Sequence, residues 1–234
     1  MTTSATTRLE PLSLAELSAR PGAKWSFYPE GVVPCWIAEM DFPIAEPIKR
    51  AIKAQVDSDD LGYLLPTGLP GLREAVAGRL ASRYDFKVEA EDVALLGTTG
   101  TGLNLSVRAF SEPGDEILLL TPLYPPFRIA VETSGRVPVE VELSNGADGY
   151  SIDFEALERA VTDKTAMLMI CNPHNPVGRV FTVAELTGLA DFAQKHDLTL
   201  VSDDLHSDLL FDGRHVPLAS LDHPMAQRTV TLYG

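Results

Sequence analysis

Short apolar runs alternate with amphipathic stretches along most of this 234-residue chain, and that alternation constrains its fold more than any other feature. Runs that are apolar at consecutive positions are typical of strands covered on both faces, as in a parallel sheet. Strands that alternate with helices predict an α/β fold of three layers, α/β/α, with a mainly parallel sheet in the middle. The predicted strands are residues 93–96, 116–120, 137–141, 166–170, 198–202 and 229–232, and the predicted helices between them are 101–111, 125–134, 153–161 and 182–196.

The first third of the chain has a different residue pattern. Residues 24–47 are rich in aromatic residues and proline, which predicts an ordered extended arm rather than a helix. Helical spacing of apolar residues begins at Pro43 and continues to Val56, and it returns over residues 69–84. We therefore expect an arm and two helices ahead of the sheet, after a frayed polar segment over residues 1–10.

Charge and cysteine content exclude several classes of function. The chain carries 19 basic and 33 acidic residues, a formal net charge of −14, and such an acidic body repels phosphate backbones. The two cysteines, Cys35 and Cys171, form no CxxC pair, so no zinc or other metal site and no disulfide framework is expected. No apolar run is long enough to span a membrane, and the first residues lack the apolar core of a secretory signal. We expect a cytoplasmic protein that binds neither nucleic acid nor membrane.

In an open α/β sheet, ligands bind beyond the carboxyl ends of the strands, so the loops there hold the candidate site. Residues 97–102 read Gly-Thr-Thr-Gly-Thr-Gly ahead of a predicted helix. Glycines let the backbone approach a ligand, and free amides at a helix start attract an anion. Thr99, Gly100 and Thr101 are therefore candidates for a phosphate cradle, while a plain strand–helix turn explains the glycines equally well. No acidic residue ends the next strand and no Gly-Lys-Ser/Thr follows, which disfavours a dinucleotide fingerprint and a P-loop.

The loops after three later strands supply other chemical groups. Tyr124 follows the strand at 116–120 and is either core filling or a ring that stacks on a planar ligand. Asn175 lies in an Asn-Pro-His-Asn-Pro turn, where its amide either shapes the turn or donates to a ligand oxygen. Asp203 ends a buried strand, where a carboxylate requires a partner: an ion pair, a cap or a protonated ring nitrogen. His206, one turn further on, is a candidate hydrogen-bond partner for it.

A phosphate cradle, a stacking ring, an amide donor and a carboxylate together fit pyridoxal 5′-phosphate (PLP), which has a phosphate, a planar ring, a phenolic oxygen and a basic pyridine nitrogen. Four stretches also resemble motifs of a known family. Residues 36–42 resemble its W-x-A-D-M-D-F arm, with Glu39 in place of Asp, and residues 62–68 together with Leu72-Arg73 resemble its G-Y-x-x-P-x-G…L-R segment. Residues 171–178 resemble its N-P-x-N-P-x-G motif, and residues 202–206 resemble its S-D-E-I-H motif, with Asp204 in place of Glu. The chain thereby resembles fold-type-I PLP enzymes of the aminotransferase class I/II superfamily. The first and last stretches favour its cystathionine β-lyase-like carbon–sulfur lyase branch.

The resemblance implies a role for each candidate residue. By their positions in the motifs, the residues that bind the phosphate are Thr99, Gly100 and Thr101, and the ring that stacks on the pyridine is that of Tyr124. The donor to the phenolic oxygen is Asn175, with His206 near the same side. The partner of the ring nitrogen is Asp203. Tyr124 and Asp203 are the catalytic candidates, because Asp203 keeps the ring cationic and therefore electron-withdrawing. Ala38, on the arm, lies near the substrate carboxylate. Tyr63 reaches the phosphate of the neighbouring subunit, because the family shares its active sites across a homodimer interface.

The resemblance also implies a domain layout. Residues 1–45 correspond to an N-terminal arm with part of a small domain, and residues 46–234 to a PLP-binding large domain that is incomplete at its C-terminal end. The family's Schiff-base lysine follows a strand like residues 229–232, and none of the lysines in this sequence occupies a matching position. We therefore expect the sequence to be the N-terminal portion of a longer enzyme.

The function that the resemblance implies is β-elimination from an amino acid, a cysteine S-conjugate such as cystathionine, giving a thiol, pyruvate and ammonia. A PLP-dependent aminotransferase of class I/II is one alternative, since it shares every residue named above and its usual S-G-T-G phosphate loop is closer to the loop of this chain. A non-catalytic regulatory or binding chain, which keeps the site without the lysine, is the other alternative.

Overall fold

A computed structural model of the protein describes residues 10–65, 68–147 and 149–234. Contacts between Cα atoms divide the chain into two compact units, Met1–Tyr63 and Leu64–Gly234, and each is described by itself. The frayed segment expected at the N-terminus lies almost entirely outside the described residues, and so do Pro66 and Thr67 of the 62–68 motif. The domain border expected after residue 45 rests on the family resemblance and stays a prediction.

The first unit, over its described residues, contains three helices joined by extended chain: α1 (Leu14–Ser18), α2 (Ala23–Ser26) and α3 (Glu46–Asp57). The segment between α2 and α3 is held by Asp41, which accepts hydrogen bonds from Lys24 Nζ at 2.8 Å and from Trp25 Nε1 at 2.9 Å. Lys24 is buried and also donates to the carbonyl oxygen of Glu39 at 2.6 Å. The extended segment between α2 and α3 is therefore ordered by contacts within its own unit, while residues 24–26 of the predicted arm are helical.

The second unit is built on a parallel sheet. Its strands are β1 (Glu116–Thr121), β2 (Val137–Glu142), β5 (Thr165–Cys171), β6 (Thr199–Asp203) and β7 (Thr229–Leu232), and a separate hairpin is formed by β3 (Ser144–Gly146) and β4 (Gly149–Ser151). The order across the sheet is β2-β1-β5-β6-β7, and every neighbouring pair is parallel. All five carboxyl ends therefore lie along one edge.

Helices follow or separate the strands, as the alternating pattern predicts. They are α4 (Leu72–Tyr84), α5 (Thr99–Ala109), α6 (Pro126–Thr133), α7 (Phe154–Ala160) and α8 (Val183–Lys195), with short 3-10 helices at Ala90–Asp92, Leu218–Ser220 and Pro224–Arg228. In the described part of the chain, no helix combines the length and the apolar character needed to cross a membrane.

Both faces of the sheet are covered, because successive residues of a strand point to opposite faces. Ile117 and Leu119 of β1 pack in a buried cluster with side chains of α5 and α6. Leu118 and Leu120 of the same strand pack in a second buried cluster with side chains of α7 and α8. A sheet with helices on both faces is the three-layer α/β/α fold, which confirms the predicted fold class.

The structure differs from the sequence prediction in several places. Helices α1 (Leu14–Ser18) and α2 (Ala23–Ser26) have no counterpart in the prediction. Residues 93–96, predicted to form a strand, are extended at Val93 but pair with no strand among the described ranges, and Leu96 is 45% exposed. That prediction is wrong, because an apolar run becomes a strand only where a neighbour takes up its backbone hydrogen bonds. The β3–β4 hairpin has no counterpart in the prediction, since its short polar strands carry no apolar alternation.

Candidate active site at the carboxyl edge of the sheet

The carboxyl ends of β5, β6 and β7 meet side by side, and the start of α5 adjoins them. Cys171, Asp203 and Leu232 are register partners across the three strands. Beyond β7, a Cβ built on Gly234 would lie 3.7 Å from the methyl carbon of Thr99. The loops that the sequence singles out therefore converge on one edge, where a single ligand would contact several of them.

The N-terminus of α5 presents backbone donors to this edge. Thr98, which the sequence analysis did not select, is the N-cap: its Oγ1 accepts from the Thr101 amide at 3.1 Å and lies 3.1 Å from the Thr101 hydroxyl. The amides of Thr99 and Gly100 belong to the first turn, where helical N–H groups have no acceptor within the helix. An anion at this point would therefore meet the amides of Thr99 and Gly100 and the Thr101 hydroxyl, while the Thr101 amide already has a partner.

The glycines of the 97–102 loop have different structural roles. A Cβ on Gly102 would lie 2.6 Å from a methyl carbon of Leu232, so this glycine allows α5 to pack closely on β7. A Cβ on Gly97 would meet nothing within 4 Å, and one on Gly100 would meet only the Thr98 hydroxyl at 3.7 Å. The backbone at Gly97 and Gly100 is thus open to a ligand, whereas Gly102 is a packing residue.

The two asparagines of the loop after β5 have different environments. Asn172 is buried, and its Oδ1 accepts a hydrogen bond from the Phe181 amide at 2.9 Å, so its side chain stabilises the loop. Asn175 is partly buried, and its side-chain amide has no hydrogen-bond partner within the described ranges. Tyr124, on the loop after β1, has a 48% exposed side chain. Asn175 and Tyr124 are therefore the members of these loops that remain available to a ligand.

His174 connects the same two loops. Its side chain is 1% exposed, with Nε2 2.8 Å from the carbonyl oxygen of Pro122 and Nδ1 3.1 Å from that of Cys171. Burial lowers the pKa of the imidazole, and the two carbonyl contacts oppose that shift. A buried neutral imidazole carries one N–H, so it donates to one of these carbonyls.

Asp203 is a buried carboxylate without a cationic partner in the part of the chain that the structure describes. Its side chain is 4% exposed, and its Oδ1 accepts one hydrogen bond, from the Leu205 amide at 3.2 Å. Burial raises its pKa to about 6, the Leu205 amide opposes the shift, and the neighbouring charge of Asp204 adds to it. A protonated ring nitrogen at this position would provide the missing cation, so the residues present fit the pyridine of PLP.

Asp204, the next residue, is fully enclosed and fully partnered. Its Oδ1 accepts from the Ser202 hydroxyl at 2.5 Å, and its Oδ2 lies 2.8 Å from His215 Nε2. Burial raises the pKa of this carboxyl, and the hydrogen bond to His215 opposes the shift. The ring of Tyr84 stands edge-to-face on His215 with the centroids 5.4 Å apart. Asp204 therefore stabilises the scaffold and has no atom free for a ligand.

A second polar group holds the residue that follows β7. Arg79 Nε donates to the Tyr233 hydroxyl at 2.8 Å, and Arg79 also pairs with Asp208. Asp208 accepts a further hydrogen bond from Tyr84, whose ring lies edge-on to that of Tyr233. Helix α4, the loop after β6 and the end of β7 are thereby tied together next to the candidate site.

Cys171 ends β5 close to the candidate site but is unsuited to nucleophilic chemistry. Its thiol is buried and donates to the carbonyl oxygen of Pro173 at 3.2 Å. Burial raises its pKa to about 12, and the carboxylates of Asp203 and Asp204 act in the same direction. Since the thiolate is the reactive form, this cysteine is inert at neutral pH.

Three predicted site residues have no contacts that test their roles. The imidazole of His206 forms no hydrogen bond with Asp203 or with any other described residue, so the pairing expected between them is absent. Ala38 and Tyr63 belong to the first unit, where both side chains are exposed, and their roles stay predictions. The lysine expected after β7 also stays a prediction.

Several residues that shape the site were missed by sequence reasoning. Thr98 has a readable signal, since threonine before a helical run is a common N-cap. His174 stands inside a recognised motif, but nothing in the motif shows that its ring reaches the loop after β1. Arg79 is 129 residues away from Asp208, and His215 follows Asp204 after 11 residues on a later loop, so no helical or strand spacing links either pair.

Comparison with known proteins is consistent with this geometry. The sequence profile of the family described as Aminotransferase class I and II matches residues 37–233. The chain is 38% identical over 201 residues to the cystathionine beta-lyase PatB of Bacillus subtilis, covering 85% of this chain and 51% of that protein. It is 33% identical over 205 residues to an aspartate aminotransferase of Pyrococcus abyssi, covering 87% of this chain and 52% of that protein.

The fold is also found among solved structures. Cystalysin from Treponema denticola, in a crystal structure that contains a pyridoxal 5′-phosphate cofactor, matches with a TM-score of 0.85 and 30% identity, covering 92% of this chain and 56% of that one. The chain spans about half the length of the curated relatives it matches.

Proposed function

The chain belongs to the aminotransferase class I and II family, and on this premise we propose that its protein is a PLP-dependent carbon–sulfur β-lyase. The reaction is β-elimination, in which a cysteine S-conjugate such as cystathionine reacts with water to give a thiol, pyruvate and ammonia. The substrate loses its Cα proton, and the carbon–sulfur bond at Cβ then breaks with the electron pair leaving on sulfur. When bound, PLP supplies the electron sink that makes this proton loss accessible.

The observation that carries the PLP dependence in this proposal is the environment of Asp203, while the lyase reaction rests on the similarity to the Bacillus subtilis cystathionine beta-lyase. A buried carboxylate with one backbone donor and no cation among the described residues is costly unless a ligand completes it. The position at the carboxyl end of β6 is the edge where ligands bind in such sheets. Asp203 would hold the ring nitrogen of PLP in its protonated form, and the pair would return the pKa of the carboxyl toward its ordinary range.

The neighbouring residues complete a site of the right chemistry. The amides of Thr99 and Gly100 and the hydroxyl of Thr101 would bind the phosphate, because the first turn of α5 leaves its donors free. The ring of Tyr124 would stack on the pyridine, and the amide of Asn175 would donate to the phenolic oxygen. Each of these side chains is exposed or lacks a partner in the described part of the chain.

An aminotransferase of class I/II is the second candidate. It is favoured by the match to the Pyrococcus abyssi aspartate aminotransferase. It would use the same phosphate, ring and carboxylate contacts, so the two functions differ in the fate of the substrate rather than in the residues described above.

The test is made on the full-length protein encoded by the gene, loaded with PLP and given L-cystathionine. We expect equal amounts of pyruvate, ammonia and homocysteine, measured by coupled dehydrogenase and thiol assays. Asp203→Asn should abolish turnover, while Glu158→Gln, which removes a surface carboxylate, should leave it unchanged. Transfer of the amino group without thiol release would replace the lyase by the aminotransferase. Failure of the protein to change the PLP absorbance spectrum would contradict both and favour the non-catalytic alternative.

We also propose a cytoplasmic homodimer in which Tyr63 reaches the phosphate bound by the neighbouring subunit. The support is the family motif at residues 62–68 together with the fully exposed side chain of Tyr63 in its own unit. Light scattering on the PLP-loaded protein should give the mass of a dimer, and a monomer that retains full activity would contradict this arrangement.

A further inference from the structure

The buried imidazole of His174 forms the one hydrogen bond that joins the loop after β1 to the loop after β5 in the described residues. We infer that His174 is a positioning residue, which fixes the ring of Tyr124 and the amide of Asn175 in one relative orientation. The inference rests on the proposed function, because it concerns how these two groups would receive the cofactor.

No other hydrogen bond joins the two loops among the described residues. The register between β1 and β5 ends at Leu119 and Met169, so neither loop is held to the other by the sheet ladder. Pro122, whose carbonyl oxygen lies 2.8 Å from His174 Nε2, is two residues before Tyr124. His174 is the residue directly before Asn175. One side chain therefore links the backbone next to Tyr124 with the backbone next to Asn175.

The backbone of His174 is itself fixed. Its amide donates to the carbonyl oxygen of Arg179 at 2.7 Å, and its carbonyl oxygen accepts from the Gly178 amide at 2.8 Å. Its ring packs against Phe181 with the centroids 5.6 Å apart. Because the imidazole is anchored on its own loop, its hydrogen bond fixes the position of the Pro122 carbonyl, and the Pro122 loop does not move the imidazole.

The contact with Pro122 is the one that matters for this role. Both ring nitrogens face carbonyl oxygens, and a neutral imidazole donates to one of them. The shorter contact is that of Nε2 with Pro122, at 2.8 Å against 3.1 Å for Nδ1 with Cys171. We therefore assign the proton to Nε2, so that the hydrogen bond crosses between the loops.

Two amide substitutions separate the contacts of the ring. Glutamine places its side-chain amide near the position of Nε2, whereas the shorter asparagine reaches only the position of Nδ1. His174→Gln should therefore keep the link to Pro122, and His174→Asn should lose it. His196→Ala is the matched control, because His196 pairs with Glu158 on the surface just before β6 begins, at the opposite edge of the sheet.

The readouts are the PLP dissociation constant and the visible circular dichroism of bound PLP in the full-length protein. We expect His174→Ala and His174→Asn to weaken PLP binding about tenfold and to diminish the dichroic band, because one buried hydrogen bond is worth about that factor. His174→Gln should stay within about threefold of the wild type. Imidazole 15N shifts should show the proton on Nε2. Equal affinity of the asparagine, glutamine and wild-type proteins would overturn the inference, and so would a proton on Nδ1.

A double-mutant cycle with Tyr124 separates positioning from general stability. With Tyr124→Ala in place, His174→Asn has only one group left to orient, so its added loss of PLP affinity should fall below about twofold. Losses that multiply in full would overturn the inference. Wild-type protein that binds no PLP would instead contradict the proposed function, so the two failures are distinguishable.

Discussion

Two adjacent carboxylates at the end of β6 occupy opposite environments. Asp204 is locked between Ser202 and His215, with the ring of Tyr84 covering the histidine. Asp203 is almost as deeply buried, yet it accepts a single hydrogen bond from a backbone amide. Neighbouring residues of a strand point to opposite sides, so one carboxylate faces the scaffold and the other faces the candidate site.

The difference separates a side of β6 whose carboxylate has protein partners from a side whose carboxylate has a single backbone donor. Burying a carboxylate costs free energy unless partners compensate it, and at Asp204 the protein supplies those partners. At Asp203, under the proposed function, a bound ligand would supply them. A site that binds a cation tightly is expected to be destabilising while it is empty, because its charge is then buried without a partner.

The largest change in unfolding free energy is expected at Asp204, the carboxylate with protein partners. Asp204→Asn leaves His215 and Ser202 without their carboxylate partner, and breaking a buried pair costs about 3–5 kcal/mol of unfolding free energy. Urea unfolding of the cofactor-free protein would measure the loss.

The control for this prediction is a carboxylate–histidine pair at the protein surface. Glu158 lies 3.0 Å from His196 Nε2 at the protein surface, and Glu158→Gln should cost less than about 1 kcal/mol. Equal losses for Asp204→Asn and Glu158→Gln would show that the Ser202–Asp204–His215 group is not a stabilising element.

A substitution of Asp203, the carboxylate without a cationic partner in the described residues, is expected to raise the unfolding free energy. The pKa of Asp203 is raised from 3.8 to about 6, so the folded chain holds the proton more tightly than the unfolded chain. The stability that this proton gives is present below pH 3.8 and is lost as the pH rises through 6. Asp203→Asn cannot ionise, so it should stabilise the cofactor-free protein by up to about 3 kcal/mol at pH 8 and about half of that at pH 5.

The same substitution should weaken PLP binding about 10- to 100-fold, because it removes a charge-assisted hydrogen bond. Unfolding curves at pH 5 and pH 8, together with PLP titrations, would measure both effects. A variant that is less stable than the wild type at pH 8 would contradict the view that Asp203 is uncompensated in the empty protein.

The smallest effect on stability is expected at His206. Its imidazole has no hydrogen bond within the described residues, so His206→Ala should change the unfolding free energy by less than about 0.5 kcal/mol. If His206 lies near the phenolic side of the ring, as the family resemblance implies, the variant should still weaken PLP binding several-fold. Unchanged affinity in a PLP titration would remove His206 from the site.

Much of the fold was predictable from local patterns. The Thr182–Glu185 capping box marks the start of α8, and the structure contains both of its reciprocal hydrogen bonds. The apolar runs at residues 116–120 and 166–170 form central strands, because both of their faces are buried. Residues 93–96 carry the same kind of apolar run without forming a strand, since no local pattern reports whether a partner strand is present.

By itself, the sequence determined the alternation of strands and helices and the strand ends next to which Tyr124, Asn175 and Asp203 lie. Only the tertiary structure decided which of two similar residues is free. Asn172 is engaged because Phe181 presents its amide there, and Asp204 is engaged because His215 reaches it from a later loop. These partners lie 9 and 11 residues further along the chain, beyond any helical or strand spacing, and burial makes their presence or absence decisive for charge and hydrogen bonding. Asn175 and Asp203 have no such side-chain partner among the described residues, so their polar atoms stay available to a ligand.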